Sequence, residues 1–105
     1  GMPAKKPPTK NEIRARRYEL HRRACDGELM LPEAVREMRE AIGFTQEKFA
    51  KHFGLTRKQV IELERGKGNP TLETLMKVAK PFGFLVGFVR DEEFPEWARK
   101  DDDPK

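Results

Sequence analysis

A single cysteine, Cys25, stands among 105 residues. It excludes an internal disulfide and fits a reducing compartment, so a cytoplasmic setting is expected. Without a CxxC partner it also argues against a structural zinc. No apolar run approaches the roughly 20 residues that a membrane-spanning helix needs, and no signal-peptide core follows the start. The two histidines, His21 and His52, have neither a nucleophile nor a metal-ligand pattern around them. There is no phosphate-cradling glycine loop, because the glycines fall where helices should end. No internal repeat is visible. These absences argue against an enzyme, a cofactor, a metal and a membrane partner.

Charge is what the sequence has in excess. Charged residues make up 38% and hydrophobic residues 36% of the chain. A chain of this length is near the size at which one core is only marginally stabilising, so a second copy would help it. The net charge of +4 favours an anionic partner without identifying one. Its distribution is uneven. Residues 1–24 hold eight basic and two acidic groups, residues 25–90 eleven and nine, and residues 91–105 three and seven.

Along the chain, residues 1–9 read as a disordered basic tail, since "MPAKKPP" is rich in proline and lysine. Thr9 and Glu12 form a capping-box pattern, which predicts a helix from about Lys10 to Ala24 within an N-terminal segment 10–30. Its apolar stripe is thin, with only Ile13, Tyr18 and Leu20 as larger members. Pro32 suits a first helical position, and Val35, Met38 and Ile42 follow at helical spacing up to Gly43. Thr45 caps a next helix, "QEKFAKHF", which ends at Gly54. Thr56 caps another, with Gln59 completing a Thr-x-x-Gln box and Gly66 closing it. Pro70–Thr71 opens a further helix that Pro81 and Gly83 terminate. Then the period changes. "FLVGFV", residues 84–89, is too short for a helix between its flanks and reads as a strand. A lone strand leaves its backbone groups unpaired, so Phe84, Leu85, Val86, Phe88 and Val89 are expected to pair with the same residues of a second copy. That assigns 84–98 to dimerisation, with Phe94 and Trp97 closing the dimer core or a partner-binding surface, and 99–105 to an acidic disordered tail.

Thr45 to Gly66 is thus two short helices joined by a tight glycine turn, the helix-turn-helix arrangement. Gly54 suits the bend because glycine takes positive φ without penalty. Ala50 is small where the second helix must approach closely. The start of that second helix carries Arg57, Lys58 and Gln59, although the helix macrodipole favours acids there. Such a cluster makes sense against a polyanion. With the helix end in a major groove, Arg and Lys can bind guanine O6/N7 and Gln can bind adenine.

The stretch "TQEKFAKHFGLTRKQVIELERGKGNPTLETLMKVAK" resembles the lambda-repressor-like (Cro/Xre) helix-turn-helix family. The likeness rests on the Thr-Gln opening, the Gly-x-Thr turn, the Glu-Arg-Gly exit and the Asn-Pro-Thr-Leu start of the next helix, and covers about Leu31 to Phe82. It implies an all-α DNA-binding domain over 31–83, a palindromic operator and a dimeric transcriptional repressor. By the resemblance, Thr45 and Gln46 contact the DNA backbone and Thr56 a phosphate or base. Arg57 and Lys58 would read bases, with Gln59 beside them, and Arg65, Lys67 and Asn69 would touch the backbone after the helix. Glu62 matches a variable base-reading position, where it would accept from cytosine N4, but an i,i+4 pair with Lys58 explains it equally well. Ile61 either meets a thymine methyl or packs beside the loop.

Two features depart from the family pattern. The long basic N-terminal helix lies outside its core, and either tracks phosphates, reaches a minor groove, binds an acidic surface or is simply solvated. A strand replaces the usual fifth helix. That strand is similar to the HipB-like and HigA-like antitoxin branch, whose members bind a toxin protein and repress their own operon. An antitoxin is therefore the alternative to a stand-alone repressor, and a non-specific nucleic-acid binder is a third reading.

Overall fold

The computed structural model describes residues 6–95. They form five helices, α1 (Lys10–Cys25), α2 (Glu33–Ala41), α3 (Gln46–Phe53), α4 (Arg57–Arg65) and α5 (Leu72–Ala79), and a 3-10 turn at Lys80–Phe82. Four of these begin on a threonine whose hydroxyl accepts a backbone N–H of the first turn. Thr9, Thr45, Thr56 and Thr71 each do so at 3.1 Å, from Glu12, Lys48, Gln59 and Thr74 respectively. At α1 and α4 the box closes in both directions, with the side chains of Glu12 and Gln59 accepting the cap residue's own N–H. Pro32 precedes α2 as its flanking residue instead of occupying its first turn.

The core gathers around Phe49, Phe82, Val35 and Val60, the largest fully buried side chains. Phe53 bridges two of them, its ring 4.0 Å from Phe49 and 5.6 Å from Phe82. Such offset and tilted contacts add to the area term of burial.

The thin stripe of α1 is real, since Leu20 is its one buried residue. Polar contacts hold the helix instead. Arg17 donates to the Pro81 carbonyl at 2.8 Å and lies 5.2 Å over the Phe82 ring. His21 Nε2 is 2.8 Å from the Phe82 carbonyl, and its ring stacks obliquely on Phe84. These carbonyls are the ones left without helical partners where α5 and its 3-10 turn end. Arg23 adds an ion pair to Glu37 of α2 at 2.9 Å, partly exposed and so of small energetic value.

The expected strand at 84–89 is not formed. Phe84 N donates to the Ala79 carbonyl at 3.0 Å, closing the helical end, and no regular structure follows through Val89. A ladder needs a second edge, and the described residues hold no strand to provide one. Leu85 and Phe88 stay almost fully solvated. Phe94 is also exposed, while Trp97 and the acidic end lie outside the described residues.

Phe82 is the residue on which α1, α3 and the chain exit converge. Phe82→Ala should cost about 3–5 kcal/mol of stability, whereas Tyr18→Ala on the exposed side of α1 should stay within about 0.5 kcal/mol. Urea unfolding followed by circular dichroism measures both; equal losses would contradict this packing.

Candidate nucleic-acid interface

The turn between α3 and α4 depends on Gly54, which has φ +72° and lets Leu55 N reach back to the Ala50 carbonyl at 2.9 Å. Ala50 is buried where the two helices meet. The turn therefore fixes the direction in which α4 begins.

That beginning differs from those of the other helices. Glu12, Glu33, Glu47 and Glu73 place an acid in the first turn of α1, α2, α3 and α5, and α4 has none. In its place stand Arg57 and Lys58, both exposed. The α4 macrodipole and these cations together make one end of the helix strongly positive. Arg57 makes no ion pair among the described residues, and Lys58 has only a long one, 4.0 Å to Glu62.

Two of the expected base readers are partly engaged within the protein. Gln59 is half-buried and its Oε1 accepts Thr56 N at 2.9 Å. Bidentate pairing with adenine needs both ends of the amide, so Gln59 would have to release the cap to do it; as placed, only its NH2 is available to donate. Glu62 lies against the backbone of Gly68, where a Cβ would meet its carboxylate at 2.6 Å. The acid covers the loop after α4 instead of pointing away from it. Ile61 beside it is half-buried.

The residues after α4 return to the same place. Gln59, Glu62, Lys67, Asn69 and Thr71 share the lining of a small niche of about 130 Å³. Arg65, Lys67 and Asn69 are exposed. Thr45 and Gln46 stand at the start of α3, and Gln46 Nε2 donates to Glu64 Oε1 at 3.3 Å. One bond thus ties the first turn of α3 to the last turn of α4. The proposed dimerisation residues lie elsewhere, along an apolar groove of about 630 Å³ between the end of α1, the start of α2 and α5.

What sequence reading overlooked is the partner that Gln46 touches. Arg39 of α2 makes two hydrogen bonds to Glu64, at 2.7 and 3.0 Å, and a third at 2.8 Å to the Phe44 carbonyl. The side chains are 12% and 6% exposed, so the pair sits inside the fold. The hydrogen bonds to Glu64 hold the Arg39 guanidinium above its ordinary pKa. A signal was available. Arg39 is four residues after Val35 and Glu64 four after Val60, so both occupy positions on apolar stripes.

A helix-turn-helix family profile matches residues 35–85. An uncharacterized HTH-type transcriptional regulator of Archaeoglobus fulgidus is 39% identical over 61 residues, covering 56% of this chain and 87% of its own length. One from Methanothermobacter thermautotrophicus is 39% identical over 49 residues, 47% of this chain and 71% of its own. An uncharacterized HTH-type transcriptional regulator of Bacillus subtilis, YgzD, is 38% identical over 52 residues, 50% of this chain and 79% of its own. No solved structure matches significantly. The chain belongs to the Cro/Xre-type helix-turn-helix family. No helix among the described residues is long and apolar enough to cross a membrane.

Removing one partner of a pair this largely covered leaves the other's hydrogen bonds unmade, at a cost of about 1–3 kcal/mol. Glu64→Ala should therefore lower stability by that amount, while the double change Arg39→Met, Glu64→Leu should recover much of it. Thermal unfolding of both variants decides; a silent Glu64→Ala would contradict the role given to the pair.

Proposed function

We propose that this chain is a sequence-specific DNA-binding transcriptional regulator, a repressor that reads an operator with the start of α4. The observation that carries this reading is the acid-free first turn of α4, with Arg57 and Lys58 exposed on a helix-turn-helix frame. In a major groove these two side chains would bind guanine O6/N7. Thr56 would add a phosphate or base contact through its hydroxyl proton, since its oxygen already serves as the cap. Gln59 would add a single donor to a base edge. Glu62 would act mainly by setting Lys58 and the loop. Thr45 and Gln46 on one side, and Arg65, Lys67 and Asn69 on the other, would hold the flanking phosphates.

The protein would act as a homodimer, with two copies of α4 about 34–36 Å apart on a palindromic site. Support comes from Leu85, Phe88 and Val89, which are 87%, 106% and 54% exposed on a segment, 85–89, that makes no backbone hydrogen bond among the described residues. Antiparallel pairing of Phe84–Val89 with a second copy would satisfy those groups and cover the apolar side chains. The same exposed segment also favours a second reading, in which a toxin protein is the partner and the chain is an antitoxin that represses its own operon.

Binding is tested by fluorescence anisotropy on the DNA upstream of the protein's own reading frame, against a scrambled duplex. Arg57→Ala should lose about 1–3 kcal/mol on the native duplex and much less on the scrambled one. Equal losses on both would remove Arg57 from base readout. Light scattering at micromolar concentration should give a dimer that Phe88→Glu converts to monomer. A wild-type monomer would refute self-pairing and direct attention to a heterologous partner.

A further inference from the structure

The family match begins at residue 35 and leaves α1 outside it, so the contribution of α1 must come from its own contacts. Its cations divide into two groups. Toward its C-terminal end they have partners: Arg22 pairs on the exposed surface with Glu19 at 2.6 Å and Asp26 at 3.0 Å, while Arg23 reaches Glu37 of α2 at 2.9 Å and Arg17 the Pro81 carbonyl at 2.8 Å. Arg16 is paired more loosely with Glu12 at 3.7 Å. Lys6, Lys10 and Arg14, at the opposite end, are exposed and make no ion pair among the described residues. Lys10 and Arg14 are four apart and share one face of the helix.

The packing puts that end in a definite place. A Cβ on Gly43 would lie 2.5 Å from Cδ and 2.7 Å from Cγ of Pro8, so the proline ring rests directly on the Gly43 backbone. With Arg23 on Glu37 at the far end, α1 runs antiparallel along α2. Gly43 precedes Thr45 by two residues, and Thr45 caps α3. Pro8 therefore anchors the stretch bearing Lys6 and Lys10 beside the α2–α3 turn, the turn that leads into Thr45 and Gln46.

We infer that Lys6, Lys10 and Arg14 form a second DNA-binding surface, which holds the sugar–phosphate backbone beside the groove that α4 enters. The inference rests on the DNA-binding reading above. Its ligand is duplex phosphate, not base edges: exposed cations that make no ion pair among the described residues attract any sequence and release counterions. Arg17 and Arg23 serve docking, and Lys6, Lys10 and Arg14 serve DNA.

The test is the salt dependence of binding by the full chain, read by anisotropy on the upstream and scrambled duplexes between about 50 and 200 mM salt. For the triple variant Lys6→Ala, Lys10→Ala, Arg14→Ala, the slope of log Kobs against log salt should flatten by about 2.7, at roughly 0.9 per phosphate contact. The ratio of native to scrambled affinity should not change. Arg14→Ala alone should flatten it by about 0.9, and Lys6→Arg, Lys10→Arg, Arg14→Lys should restore the wild-type slope. Circular dichroism checks that each variant keeps its helices, and the single change decides if the triple does not. A wild-type slope in these variants would overturn the inference while leaving specific binding intact. So would the same flattening per charge in the control Arg90→Ala, outside the named surface, which would mean net charge alone. If the wild-type chain bound neither duplex, the DNA-binding reading would fail and this inference with it.

Discussion

The contact between Arg39 and Glu64 is the constraint around which the helix-turn-helix unit is arranged. One guanidinium reaches the last turn of α4 and the Phe44 carbonyl in the α2–α3 turn. The same carboxylate accepts Gln46 from the first turn of α3. Three elements are thus tied at one largely desolvated point. A buried ion pair of this kind is weak evidence for net stability, because desolvation offsets much of the attraction. Its geometry is what matters here. Apolar packing at Val60 and Leu63 tolerates small rotations of α4, whereas two short hydrogen bonds to a planar guanidinium do not. A helix expected to place side chains against base edges benefits from that restriction.

The distribution of charge follows the same division between holding and presenting. Four of the five helices begin with an acid that suits the macrodipole, and α4 gives up that stabilisation. Its capping box compensates in part, since Thr56 and Gln59 satisfy two donors without adding negative charge. Along α1, Arg17 and Arg23 meet a carbonyl and a carboxylate of neighbouring elements, whereas Lys6, Lys10 and Arg14 make no ion pair among the described residues. At the chain exit, Arg17 and His21 hold the carbonyls of Pro81 and Phe82, so α1 also sets where the apolar segment 84–89 leaves the domain.

Much of this was legible in the sequence, for local reasons. Thr45, Thr56 and Gly54 announce helix ends through chemistry confined to a few neighbouring residues, and the structure places the ends there. The apolar stripes of α2 to α5 mark the core by period alone. Longer-range features were less visible. Arg39 and Glu64 lie 25 residues apart, and their places on apolar stripes mark each as covered without naming the other as its partner. α1 has too thin a stripe to announce its docking, because backbone carbonyls take the place of apolar neighbours. The strand at 84–89 was read from composition, but composition records only burial tendency. Pairing needs a second edge, and the described residues of one copy contain none. Gln59 shows the limit of reading roles from position: the same amide that suits adenine is already used in the cap.

The central claim is that the start of α4 reads guanine edges in a major groove. Methylation interference at guanine N7, on the duplex from upstream of the protein's own reading frame, tests it most directly. Methylation should block binding at a few guanines in each half of the site, with Arg57→Ala losing sensitivity at one of them. Binding indifferent to N7 methylation at every guanine, and blocked only by ethylation of phosphates, would show that α4 does not read bases.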